Sequence, residues 1–187
     1  MLCAASIALL GAHTTFASER SAELINSFTI FCLTETPDFE SMNAKATAMK
    51  LPVVQEMGAP REKGDFVHLK SWAVPLKDGA HYLGFSEARG PKGEQVSCSI
   101  AASDVSNEDI KQDLLKSFTL GTPRETTMPN GWKAMTWDIP KLKVVIAAPD
   151  GKRTFESDNI KLMLTDHMPP NSPGIFLNMI RQVTPAP

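Results

Sequence analysis

Apolar and polar positions change period several times along this chain. Leu24, Phe28 and Cys32 recur every fourth residue between Ser21 and Leu33. That spacing is one face of an amphipathic helix, so Cys32 is expected to point into a core. Phe39, Met42, Ala46 and Met49 mark a second helix, with Thr36 as its expected N-cap, Pro37 at its first position and Pro52 near its end. From Asp65 the period falls to two. Phe66 to Leu76, His81 to Ala88 and Gln95 to Ala102 read as strands, separated by the short Gly-containing breaks Lys77 to Gly79 and Arg89 to Gly93, as antiparallel hairpins require. Ser106 to Asp109 resembles a capping box, and Ile110, Leu114 and Phe118 form a third helical stripe before Gly121. After Asn130 and Gly131 come three more expected strands, Trp132 to Ile139, Leu142 to Ala148 and Phe155 to Thr165. The stretch from Pro169 has the composition of a loop or extended tail.

The order suggests one unit used twice. Trp72-Ala-Val-Pro75-Leu-Lys77 is echoed by Trp137-Asp-Ile-Pro140-Lys-Leu-Lys143, each after a helix and before two further strands. The expected fold is therefore α+β, an antiparallel sheet of about six strands with helices packed on one face. Read as a true duplication, it is a tandem helix-plus-three-strand repeat over 34–104 and 105–168. Without duplication the short turns still predict an antiparallel sheet with helices on one side.

Before Glu19 there is no Asp, Glu, Lys or Arg, and the apolar run ends in Thr15-Phe16-Ala17-Ser18. This suits a secretory signal cleaved after Ala17, although the usual basic start is missing. The expectation is a 1–17 leader, a single domain over 18–187 with a tail at 169–187, and a periplasmic or secreted address. The run is shorter than the approximately 20 residues of a membrane span, and no span is expected after processing. Net charge is −2, with both signs mixed along the 187 residues, so there is no electrostatic footprint for nucleic acid.

Removal of the leader takes Cys3 and leaves Cys32 and Cys98. Val96, Cys98 and Ile100 alternate with Ser97 and Ser99, so Cys98 faces the same core as Cys32, and an even pair in an oxidising compartment reads as a disulfide. The Phe28-x-x-x-Cys32-Leu33 helix followed by Val96-x-Cys98-Ser99-Ile100 resembles small signal-bearing periplasmic proteins of α-proteobacteria. That resemblance implies a disulfide and a periplasmic address and supplies no catalytic residues. The tandem helix-plus-sheet outline is also similar to secreted protein inhibitors of the β-lactamase inhibitory protein type, an analogy of fold only.

The sequence contains no phosphate-binding loop, dinucleotide fingerprint, His-Glu-x-x-His or EF-hand pattern, and no cofactor is expected. Gly84-Phe85-Ser86-Glu87-Ala88 has the outline of a nucleophile elbow but lies inside an expected strand with no following helix. His68 and His81 on neighbouring strands, with Glu87, are the candidate metal ligands. The methionines are dispersed at core-like spacings, as adaptable filling and not as a Cu(I)-selecting thioether cluster, with His167-Met168 the one local pair to test. Trp132 and Trp137 have odd spacing on one expected strand, so one should be core and the other partly exposed. With Tyr82, an exposed tryptophan bordered by Lys133 and Lys141 would anchor a partner. The absence of a catalytic constellation favours a non-enzymatic binding or protein-interaction domain, with an envelope protein or a small ligand as partner. The alternative is a small hydrolase or metal or small-ligand binder, with a pocket between helices and sheet where His68, His81 and Glu87 converge.

Overall fold

The computed structural model describes residues 13–33, 38–58, 66–76, 79–90, 93–148, 151–168 and 172–183. In chain order the elements are α1 (His13–Phe28), a π turn (Thr29–Leu33), α2 (Phe39–Ala48), β1 (Val53–Gly58), β2 (Phe66–Leu76), β3 (Gly79–Gly90), β4 (Gly93–Ala102), α3 (Asn107–Ser117), β5 (Arg124–Thr127), β6 (Lys133–Ala148), β7 (Gly151–Met168) and β8 (Ser172–Val183). The eight strands form one sheet in the order β1-β2-β3-β4-β8-β7-β6-β5, and every neighbouring pair is antiparallel. Each half is a helix followed by a four-stranded meander, and the last strands of the two meanders, β4 and β8, pair at the centre.

Alternation dictates which side of each strand is buried. Leu83 and Phe85 on β3, Cys98 and Ile100 on β4, Leu177 and Met179 on β8, and Leu162 and Leu164 on β7 form a continuous apolar face. Leu24 and Phe28 of α1, Met42 of α2, and Ile110 and Leu114 of α3 pack onto it. The expected bridge is present: Cys32 in the π turn is bonded to Cys98, with their Cα atoms 5.4 Å apart. Closing a loop of that length stabilises the fold by about 4 kcal/mol in the chain-entropy model. Trp72 and Trp137 occupy corresponding places, both buried, opposite Leu83 and Leu162 respectively.

Several expectations are corrected. The sheet has eight strands and not about six, and each half carries four strands and not three. The segment read as a C-terminal tail contains β8, a central strand. Its Ile175, Leu177 and Met179 alternate inward between flanking prolines that dominate the local composition. The two strands expected on either side of Pro140 are one continuous β6. Beyond Thr136 this strand has no neighbour on its outer side among the described residues, and a missing N–H is tolerated on such an edge. Past Pro140 the buried positions change parity, from Trp137 and Ile139 to Leu142 and Val144. The long β6–β7 hairpin then brings Val144 and Val145 beside Ile25, Thr29 and Phe118, around a 570 Å³ hollow on the helical side.

Edge strands β1 and β5 were not anticipated; all their side chains are exposed, so neither shows the alternation of a half-buried strand. The first helix begins at His13 and not at Ser21, while residues 1–12, most of the expected leader, lie outside the described residues. The cap of α2 is Asp38, whose carboxylate accepts from the Ser41 N–H at 2.8 Å; Thr36 and Pro37 lie outside the described residues. The cap of α3 is Ser106, as the capping-box pattern predicts. Among the described residues no helix is long and apolar enough to cross a membrane.

Candidate functional site

The three candidate metal ligands do not converge. His68 on β2 and Glu87 on β3 are register partners on the helical face. Glu87 is buried, and its carboxylate accepts from the Phe39 N–H at the start of α2, at 3.1 Å. The ring of His68 lies against that of Phe39, with centroids 3.8 Å apart, and its Nε2 is 3.8 Å from a Glu56 oxygen. Lys70 completes this seam, 2.9 Å from the Glu56 carboxylate, and its hydrogen bond holds Glu56 below the usual carboxylate range. His81 sits six residues further along β3, about 20 Å from Glu87 at the rise of an extended strand. It is fully buried, and neither ring nitrogen has a partner. Burial, reinforced by the nearby Arg20, pushes its pKa down to about 4. Among the described residues no group of three His, Cys, Asp or Glu is placed to hold a metal ion.

The aromatic candidates are also separated. Trp137 is in the core and its Nε1 donates to the Gly121 carbonyl at 3.0 Å. Trp132 precedes β6, is half-buried, and stacks on His167 with ring centroids 5.3 Å apart. His167 Nδ1 lies 2.9 Å from Asp166, which also accepts from the Lys133 N–H. Burial of Asp166 opposes its ionisation, but these two hydrogen bonds outweigh burial and hold its carboxyl below the usual range. Tyr82 is 42% exposed on the face away from the helices. Registers link it through Ala101, Phe176 and Thr165 to Ala134 on β6, four strand spacings or about 19 Å away. Tyr82 and Trp132 therefore cannot act as one anchor, and Trp137 is on the opposite side of the sheet.

What the tertiary structure does assemble is a trough on the uncovered face. Alternation that sends Trp72, Leu83, Cys98 and Ile100 inward sends Ser71, Gly84, Ser97 and Ser99 outward. Ser71, Gly84 and Ser99 are cross-strand neighbours on β2, β3 and β4. In the adjoining row the Ser86 and Ser97 hydroxyls are 2.8 Å apart. This small-residue floor lies within a 490 Å³ trough bounded by Val54, Leu69, Tyr82, Met168 and Phe176. Gly84 is required for its depth, because a Cβ there would come within 2.6 Å of Ser99 Oγ. None of the described side chains lining it is charged. Beside it, Asn178 on β8 is the register partner of Ser99; it is only 7% exposed, and its Oδ1 has no hydrogen-bond partner. A second hollow on this face, of 360 Å³ near Pro140, differs in being charged, with Asp138 and Lys161 3.6 Å apart.

Sequence reasoning placed Ser97 and Ser99 on the polar side of their strand but did not connect them with Ser71, Gly84 or Asn178. Only the strand order brings these together. Among its described lining residues the trough has hydroxyls and no carboxylate or imidazole, so what these residues offer is hydrogen bonds and apolar contact. Comparison with protein-family models, with curated proteins and with solved structures finds no match for this chain.

Proposed function

We propose that this chain is a non-enzymatic binding module of the periplasm or another extracytoplasmic space, and that it works through the uncovered face of its sheet. The observation that carries this reading is the trough over Gly84: an apolar-walled depression of 490 Å³, floored by hydroxyls and with no carboxylate, amine, guanidinium or imidazole among its described lining residues. Concave, mostly apolar sites with a few placed polar groups are the usual form of a ligand site. The competing hydrolase or metal reading finds no support in the separation of His81 from His68 and Glu87. The buried Cys32–Cys98 bridge supports the compartment, since such bonds persist in oxidising environments.

We further read the two halves as products of an internal duplication. Pairing Trp72 with Trp137 also matches Leu83 with Leu162, Phe85 with Leu164, Cys98 with Leu177, and the caps Asp38 and Ser106. Under the same correspondence the Ser99–Asn178 pair maps onto itself, so the pseudo-two-fold axis passes through it. Gly84 and Ser97 of the first half correspond to Met163 and Phe176 of the second. Divergence between the halves thus leaves small residues as floor on one side and bulky ones as wall on the other.

The test is site-specific photocrosslinking in source cells, with benzoylphenylalanine at Ser71 or Tyr82 on the uncovered face and at Lys116 on exposed α3. Adducts of one defined mass from the first two positions and none from the third are the expected result. Equal or absent labelling at all three would remove the uncovered face as the binding surface.

A further inference from the structure

Resting on that reading, we infer that the trough takes a small uncharged amphiphile, with an apolar or aromatic body between Leu69, Tyr82 and Phe176 and a hydroxyl or amide hydrogen directed to Ser99 and Asn178. Four observations converge on this chemistry. The trough, at 490 Å³, is of a size that encloses a small molecule and not a folded partner element. Its described lining residues carry no charge, so an ionic group entering among them would lose water and meet no counter-charge.

Beside the trough, next to its lining residue Ser99, lies a buried acceptor with an unmet demand. Asn178 Oδ1 has no partner, although buried polar atoms in folded proteins are nearly always paired, and its register partner Ser99 has a hydroxyl free to rotate. Ser99 makes only a long 3.4 Å contact to the Gly84 carbonyl, leaving it able to turn toward a ligand. Finally, Gly84 keeps the floor open where its counterpart in the other half is Met163. A donor-bearing ligand would satisfy the orphaned acceptor while its body covers the apolar walls.

Fluorescence titration of the oxidised full chain tests this with two matched probes. N-phenyl-1-naphthylamine is neutral and carries one N–H, and 8-anilino-1-naphthalenesulfonate has the same aromatic body with an added negative charge. The expected result is saturable one-to-one binding of the neutral probe, with the sulfonate weaker by about tenfold or more, the order of a difference set by one unpaired charge. Ser97→Phe, which fills the floor with its counterpart's side chain, should abolish neutral-probe binding. Ser71→Phe fills it from the other side should the first variant not retain the wild-type melting transition. Asn178→Leu should weaken the neutral probe by about fivefold, the size of one lost hydrogen bond, and leave the N-methylated form of that probe unaffected. Absence of saturable binding, equal affinity for the sulfonate, or binding indifferent to both filling variants would each overturn the assignment. If the probe fails while crosslinks at Ser71 persist, the ligand class is wrong and the binding face stands; if both fail, the face itself is wrong.

Discussion

Gly174 and His81 show how single positions carry constraints that neighbouring residues do not advertise. Gly174 adopts φ +143°, and a Cβ there would lie 2.5 Å from the Ala102 carbonyl oxygen. Backbone cannot move aside as a side-chain end can, so Gly174→Ala should lower unfolding stability by about 3 kcal/mol, read from urea denaturation. Gly84→Ala meets only the rotatable Ser99 hydroxyl and should be far milder. His81 makes stability depend on pH. Its folded pKa of about 4 lies below the ordinary 6.5, so between those values the unfolded chain holds a proton that the folded chain excludes. Stability is therefore full above pH 6.5 and falls as pH drops through this window, by about 3 kcal/mol in total. His81→Leu should flatten that limb of the stability curve against pH, and an unchanged limb would assign it to other groups. His81 shares parity with Leu83 and Phe85, but a strand histidine is more often solvent-facing, so its full burial was not legible. Nor was the lack of a ring partner among the described residues, since the groups nearest the ring come from α1 and the β4–α3 connection, both distant in sequence.

Elements with one buried and one exposed side were readable where their periodicity extends over several residues. The α1 and α3 stripes, the β2–β3–β4 meander and the inward aim of Cys32 and Cys98 follow from spacing, whereas in the second stripe Met49 is the exposed C-cap of α2 and only Met42 and Ala46 are buried. Replacing both cysteines by serine should lower stability by about 4 kcal/mol, and alkylation of the native chain should modify neither cysteine until reductant is added. A free thiol before reduction would contradict the bridge. The elements that escaped did so for distinct physical reasons. β1 and β5 bury no side chain, so they bear no period-two signal. β6 continues through Pro140 because its outer side is an edge there, and its change of parity reads as a break. In β8 the alternation of Ile175, Leu177 and Met179 is present but lies between Pro-rich flanks whose composition suggests a tail.

At the scale of the molecule, β8 joins the halves. It pairs with β4 on one side and β7 on the other, and it carries Phe176 into the wall of the trough and Asn178 beside its floor residue Ser99. A chain ending at Pro169 should therefore lose cooperative thermal unfolding and near-ultraviolet ellipticity, whereas a dispensable tail would leave both intact. The sequence by itself determined most local periods, the Ser106 cap of α3 and the β2–β3–β4 hairpin pairings, because each depends on residues within a few positions of one another. It also determined that two cysteines face one core. Only the tertiary structure decided that β4 lies beside β8, that His81 is far from His68 and Glu87, that Trp137 is on the opposite face from Tyr82, and that Trp132 is about four strand spacings from Tyr82. It alone placed Ser71, Gly84, Ser99 and Asn178 in one row. Such neighbours are selected by the joint burial of both meanders' apolar faces under the same helices, a condition that no local window of the sequence contains.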